Sequence, residues 1–145
     1  MGRVSKRKIN KDLERELEEQ LSFIIVSLTE KDEVSIFLDE FLTKEEKLML
    51  GKRLILYMLL YKGLTNTQIN AALSISHETT RLYRELFEKK PEVFRKMLER
   101  LISREKAREL WKKIAKILEP VKLALEAKTN MRSRAKLASG DFWKG

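Results

Sequence analysis

The chain is 145 residues long, with 31 Lys and Arg against 22 Asp and Glu for a net charge of +9, no cysteine, and one histidine, His77. That length suits one compact domain with appendages, and the missing cysteines exclude a disulfide framework, a thiolate zinc site and a cysteine nucleophile. No apolar run reaches the roughly 18 residues of a membrane span, and the basic start Met1–Lys8 has no apolar stretch behind it, so no secretory signal is expected and the chain reads as cytoplasmic.

Residues 1–11 read as a basic arm carrying +5, with Lys6, Arg7 and Lys8 in its middle. A first helix is expected from Asp12 to Leu28, because Leu13, Leu17, Leu21, Ile24 and Leu28 recur at helical spacing and make one stripe. Phe23, Ile25 and Val26 widen that stripe beyond what a solvent-facing helix needs, and a second subunit is one way to cover it. A short helix is expected near Glu33–Leu42, and residues 12–46 together carry −9. Thr43-Lys44-Glu45-Glu46 has the capping-box spacing, in which hydroxyl and carboxylate satisfy exposed N–H groups. It should open a long helix with Leu50, Leu54, Ile55, Met58 and Leu59 on its apolar face, ending near Lys62 at Gly63.

Thr65-Asn66-Thr67-Gln68 repeats that spacing, and the helix it opens is cut short by Ser74-Ile75-Ser76, where Ser76 can cap the next one. Two helices joined by a tight turn outline a helix-turn-helix over residues 65–87. Ile69, Leu73, Ile75 and Tyr83 stand where the motif needs apolar residues between its helices. The second helix would expose Ser76, His77, Glu78, Thr79, Arg81 and Arg84 near the end that enters a major groove. Arginine suits guanine and a carboxylate suits cytosine, while Lys62, Thr65, Asn66 and Thr67 would face the phosphate backbone. The competing reading pairs Arg81 and Arg84 with Glu78, Glu85 or Glu88 along the helix surface. Three positions depart from the common motif: Asn70 for a small alanine, Ser74 for the turn glycine, and Thr80 for a branched aliphatic residue.

Pro91 suits the first turn of a further helix reaching Ile102, and Ser103 is expected to cap another that carries Leu110, Trp111, Ile114, Ile117 and Leu118 on one side. Pro120 should kink or restart it. Residues 47–102 carry +6 and residues 103–145 carry +7, so the last segment reads as a basic helical extension and tail. It can add phosphate contacts, cover a dimer or dock on another protein. The fold class is all-α, in three parts: arm 1–11, helical domain 12–102, extension 103–145.

The order of these motifs resembles the tryptophan repressor superfamily. Phe41-Leu42-Thr43-Lys44-Glu45-Glu46, then Leu50-Gly51-Lys52-Arg53, then Leu59-Leu60-Tyr61-Lys62-Gly63 follow that family's long-helix pattern, and Pro91 to Ile102 is similar to its final helix. The similarity spans about residues 41–102, and a gap before the helix-turn-helix brings it closer to the shorter-loop branch of repressor-like proteins. It implies an intertwined homodimer whose recognition helices meet successive major grooves about 34 Å apart, with residues 12–28 as the intertwining helix. Thr43 and Arg53 match the positions that hold the tryptophan carboxylate, but the arginine that stacks on the indole aligns with Leu82, so tryptophan is not expected as an effector. Thr43 as a helix cap and Arg53 as a surface ion-pair partner is the simpler reading.

The resulting expectation is a sequence-specific regulator that binds double-stranded DNA as a homodimer. The alternative is a DNA-recognition or accessory subunit of a mobile-element or replication complex. No catalytic residues, cofactor or metal ligands are expected, because the carboxylates lie on solvent-facing positions of the N-terminal helices rather than in the cluster a metal nuclease needs.

Overall fold

The computed structural model describes residues 7–127, with side chains through Pro120. Those residues form seven α-helices and no strand: α1 Lys11–Ser27, α2 Lys31–Phe41, α3 Lys44–Tyr61, α4 Asn66–Leu73, α5 His77–Glu88, α6 Glu92–Ser103 and α7 Ala107–Ala127. The chain divides into two compact units, through Gly51 and from Lys52, so the division falls inside the span of α3.

In the first unit, Asn10 caps α1 by accepting the Asp12 N–H at 2.8 Å, and Asp12 and Glu14 set negative charge against the positive end of the helix dipole. Thr43 caps α3, its hydroxyl accepting the Glu46 N–H at 3.1 Å. The apolar faces in this unit have little to pack on. No residue of α1 or α2 is buried, and Leu17, Leu21 and Val26 are 55%, 44% and 82% exposed. Phe37 and Phe41 stack with ring centroids 5.0 Å apart. With Leu17, Gln20, Leu21 and Ile24 they line an apolar groove of about 430 Å³.

The second unit has a true core. Five consecutive residues, Leu56 to Leu60, are buried, so this stretch of α3 is enclosed on every side, which is how a helix segment apolar all round must be placed. Around it pack Ile69 of α4, Phe87 of α5, Leu98 of α6 and Ile114 of α7. The Tyr57 ring meets Tyr83, Phe94 and Phe87 at centroid distances of 5.7, 5.4 and 6.1 Å. Arg95 lies over Phe87 at 4.4 Å and donates to the Phe87 carbonyl at 3.0 Å, holding α6 to the end of α5.

Two expectations for the C-terminal part change, and a third narrows. Pro91 occupies the cap position, in extended conformation, with α6 beginning one residue later. Ser103 ends α6 instead of opening α7: its hydroxyl donates to the Arg100 carbonyl, and α7 starts after the turn at Arg104 to Lys106. Pro120 lies inside α7, which runs through it without restarting. The part of the expected tail beyond Ala127, with Phe142 and Trp143, lies outside the described residues, as does most of the basic arm.

Candidate nucleic-acid interface

Helices α4 and α5 pack on each other across a short turn, and the turn's chemistry fits its sequence. Thr65 forms a complete capping box: its hydroxyl accepts from Gln68 N at 3.3 Å, and Gln68 Oε1 accepts from Thr65 N at 2.9 Å. Ser76 caps α5 by accepting from Thr79 N at 3.2 Å. Between them Ser74 adopts φ 51°, ψ 51°, the left-handed conformation in which glycine is the usual occupant. A non-glycine residue there costs about 1–2 kcal/mol.

The two other departures from the common motif are partners. Thr80, fully buried, donates its hydroxyl to Asn70 Oδ1 across the α4–α5 contact, with the Ser76 carbonyl 3.2 Å away as a second acceptor. That contact fixes the orientation of the Asn70 amide, whose Nδ2 then donates to His77 Nδ1 at 2.6 Å. A polar chain from Thr80 through Asn70 to His77 thus replaces part of an apolar helix–helix seam, and a single substitution in the chain leaves a polar group without its partner. Ile69, Leu73, Ile75 and Tyr83 complete the seam as expected, Ile69 with no exposure at all.

Arg84 also takes up an internal position. Its Nε donates to Asn66 Oδ1 at 2.7 Å and its Nη2 to the Leu64 carbonyl at 2.7 Å, tying α5 to the loop that precedes α4. Two residues singled out as DNA contacts, Asn66 and Arg84, are therefore bonded to each other. Neither arginine of α5 makes an ion pair with Glu78, Glu85 or Glu88 among the described residues, whereas Lys47 pairs with Asp39 and Lys112 with Glu109. Arg81 is exposed to solvent, beside exposed Ser76, His77 and Glu78 and half-buried Thr79 on the N-terminal half of α5. Thr65 and Thr67 are exposed at the start of α4. Lys62 is exposed too, but its ammonium lies 5.4 Å from the centre of the Trp111 ring on α7.

The remaining pair, Thr43 and Arg53, belongs to different units, and each has a local role. Thr43 is the α3 cap, and the Arg53 guanidinium lies 5.8 Å from the centre of the Tyr83 ring instead of in a surface ion pair. Leu82, which stands in place of the indole-stacking arginine, is 54% exposed.

The Asn70–Thr80 partnership was open to inference from sequence, since two polar residues replaced apolar ones ten positions apart in helices that must touch. The grip of Arg84 on the Leu64 carbonyl had no such signal. Among the described residues no group of three or more His, Asp or Glu side chains is placed to hold a metal ion, and no helix is long and apolar enough to cross a membrane.

No curated protein and no solved structure matches the chain. The family model for Trp repressor protein matches residues 16–102, well over half the chain, from the first half of α1 to the end of α6. It reaches further towards the N-terminus than the motifs that carry the resemblance. The chain belongs to the Trp repressor family of DNA-binding helix-turn-helix regulators.

Proposed function

We propose that the protein is a homodimeric, sequence-specific transcriptional regulator that lays the N-terminal half of α5 in the major groove and acts by occupying an operator, with no catalytic step. The observation that carries this reading is the division of labour between the two α5 arginines. Arg84 holds the helix to the α3–α4 loop through two hydrogen bonds, while Arg81 is exposed with Ser76, His77 and Glu78 around it. Arg81 and Glu78 supply base-reading chemistry. Thr65, Thr67 and Lys62 supply backbone contacts that set register. Asn66, His77 and Arg84 act mainly by positioning the others.

The homodimer is supported by the first unit, where the apolar faces of α1 and α2 are exposed in the single chain. Contiguous apolar surface of that kind marks an association site, and a second copy brings an identical face to cover it. In this reading residues 12–102 are the repressor-like domain, residues 1–11 a basic arm and residues 103–145 an extension, and the protein works in the cytoplasm. No effector is assigned to it.

The test is selection from a random duplex library at physiological ionic strength, about 0.15 M, with Arg81→Ala in parallel. Enrichment of a palindrome that Arg81→Ala loses supports a dimeric reader. Duplex binding with no enrichment, equal in the variant, overturns sequence reading by α5, and enrichment of a single asymmetric site overturns the homodimer in favour of an accessory subunit. Sedimentation equilibrium adds an independent check, in which Leu21→Asp should convert the dimer to monomer.

A further inference from the structure

Helix α7 lies beyond the family match, yet it packs directly on α4, the helix-turn-helix element expected to cross the DNA backbone, and on α6. Its inward face is set by Ala107, Leu110, Trp111, Ile114 and Leu118, buried or half-buried against the core of the second unit. Arg108, Lys112 and Lys116, each four residues from the next, are all exposed, so they form one row along the helix. Two contacts place that row beside the candidate interface. Trp111, half-buried and next to Lys112 in the sequence, carries Lys62 on its ring. Lys116 lines a groove of about 390 Å³ with Ala115, Leu118, Glu119 and Gln68, and Gln68 is half of the α4 capping box.

Carboxylates on the same helix do not cancel the row. Glu109 meets Lys112 at 3.4 Å, but both side chains are at least 70% exposed, and an exposed pair of that kind exchanges readily for another partner. Glu119 sits at the far end of the row. Between Arg104 and Glu119 the sequence has six cations and three carboxylates, all exposed.

We propose that α7 is a second phosphate-contacting element, with Arg108, Lys112 and Lys116 extending the line begun by Lys62 along the backbone of the same duplex that α5 reads. The inference rests on the functional reading above. Its contribution is to affinity and to salt dependence, not to sequence choice, because cations facing phosphates carry no base information.

The experiment measures binding of the full-length protein to its selected operator, and to an unrelated duplex, across a salt series. Arg108→Gln, Lys112→Gln and Lys116→Gln are combined in one variant. A second variant replaces three exposed cations of the acidic segment, Arg15, Lys31 and Lys44, by glutamine and so matches the first in net charge. On B-DNA, every phosphate that the protein ceases to neutralise makes the slope of log K against log salt shallower by about 0.9. The α7 variant should therefore lose about 2–3 units of slope per protomer. The selected sequence should stay the same. Lys112→Arg with Lys116→Arg should keep the wild-type slope, and circular dichroism should report unchanged helix content in every variant. A slope equal to the wild type's, or a loss no larger than in the charge-matched control, overturns the α7 proposal while leaving α5 reading intact. Wild-type protein with no duplex affinity at all overturns both.

Discussion

Replacing Thr80 by valine removes the hydroxyl that joins α5 to α4, while leaving the shape of a fully buried side chain nearly unchanged. Asn70 Oδ1 then loses its donor, and because Asn70 is half-buried, water restores only part of that bond. The expected loss is about 1–2 kcal/mol. Asn70→Ala should lose about 1 kcal/mol: the Thr80 hydroxyl can fall back on the Ser76 carbonyl, so no buried donor is stranded, but one hydrogen bond and some packing go. Combining the two gives an alanine facing a branched aliphatic residue, the pattern from which this motif departs, and removes both partners at once. The double variant should therefore lie within about 0.5 kcal/mol of wild type, giving a coupling of about 1.5–3 kcal/mol in the cycle. Urea unfolding followed by circular dichroism reads it directly. With m of about 2 kcal/mol/M, each single variant should lower the midpoint by roughly half to one molar, and the double should recover most of it. All four proteins are compared at one concentration, because the midpoint would depend on it in the proposed dimer. A double variant whose loss equals the sum of the singles, within about 0.3–0.5 kcal/mol, refutes the idea that the two residues act as one unit.

Ser74→Gly should raise stability by about 0.5–1 kcal/mol, since glycine tolerates the left-handed conformation and gives back only part of the gain through greater freedom when unfolded; a lowered Tm would contradict it. Thr65→Ala should cost about 1 kcal/mol by removing the α4 capping box, visible as a lower urea midpoint, with Thr65→Ser close to neutral. Arg84→Lys should behave nearly as badly as Arg84→Ala in both stability and operator affinity, because an ammonium cannot span Asn66 Oδ1 and the Leu64 carbonyl with the geometry of a guanidinium. Tryptophan should leave Tm unchanged: a ligand at a hundred times its Kd would add about 2.7 kcal/mol, and a clear upward shift would show that Leu82 does not prevent binding.

Helix positions were readable from the chain because periodicity and caps are local. Thr65 and Ser76 announced α4 and α5, and the leucine stripe announced α1 to within a residue at either end. Errors gathered where two local signals competed. Ser103 looks like a cap from its hydroxyl alone, but it is the last residue of α6, and the same hydroxyl bonds back to the Arg100 carbonyl. The candidate site was less legible, for the same physical reason in reverse. Whether an arginine on a helix reads a base or braces a loop depends on atoms 18 and 20 residues away, as Arg84 illustrates. Lys62 was expected against phosphate from its place at the start of the helix-turn-helix, and nothing near it in sequence foretold Trp111 across the fold.

The absence of any buried residue in α1 and α2 bears on how such a protein would respond to its own abundance. A single chain gains little from ordering these helices, so in the proposed dimer most of the free energy that holds them comes from meeting a second copy. At levels below the dimerisation constant, the amount of DNA-competent species then grows with the square of the amount made. Doubling synthesis would quadruple operator occupancy in its low range, and halving it would cut occupancy fourfold. Transcriptional output would follow a threshold in dosage without any small molecule to set it.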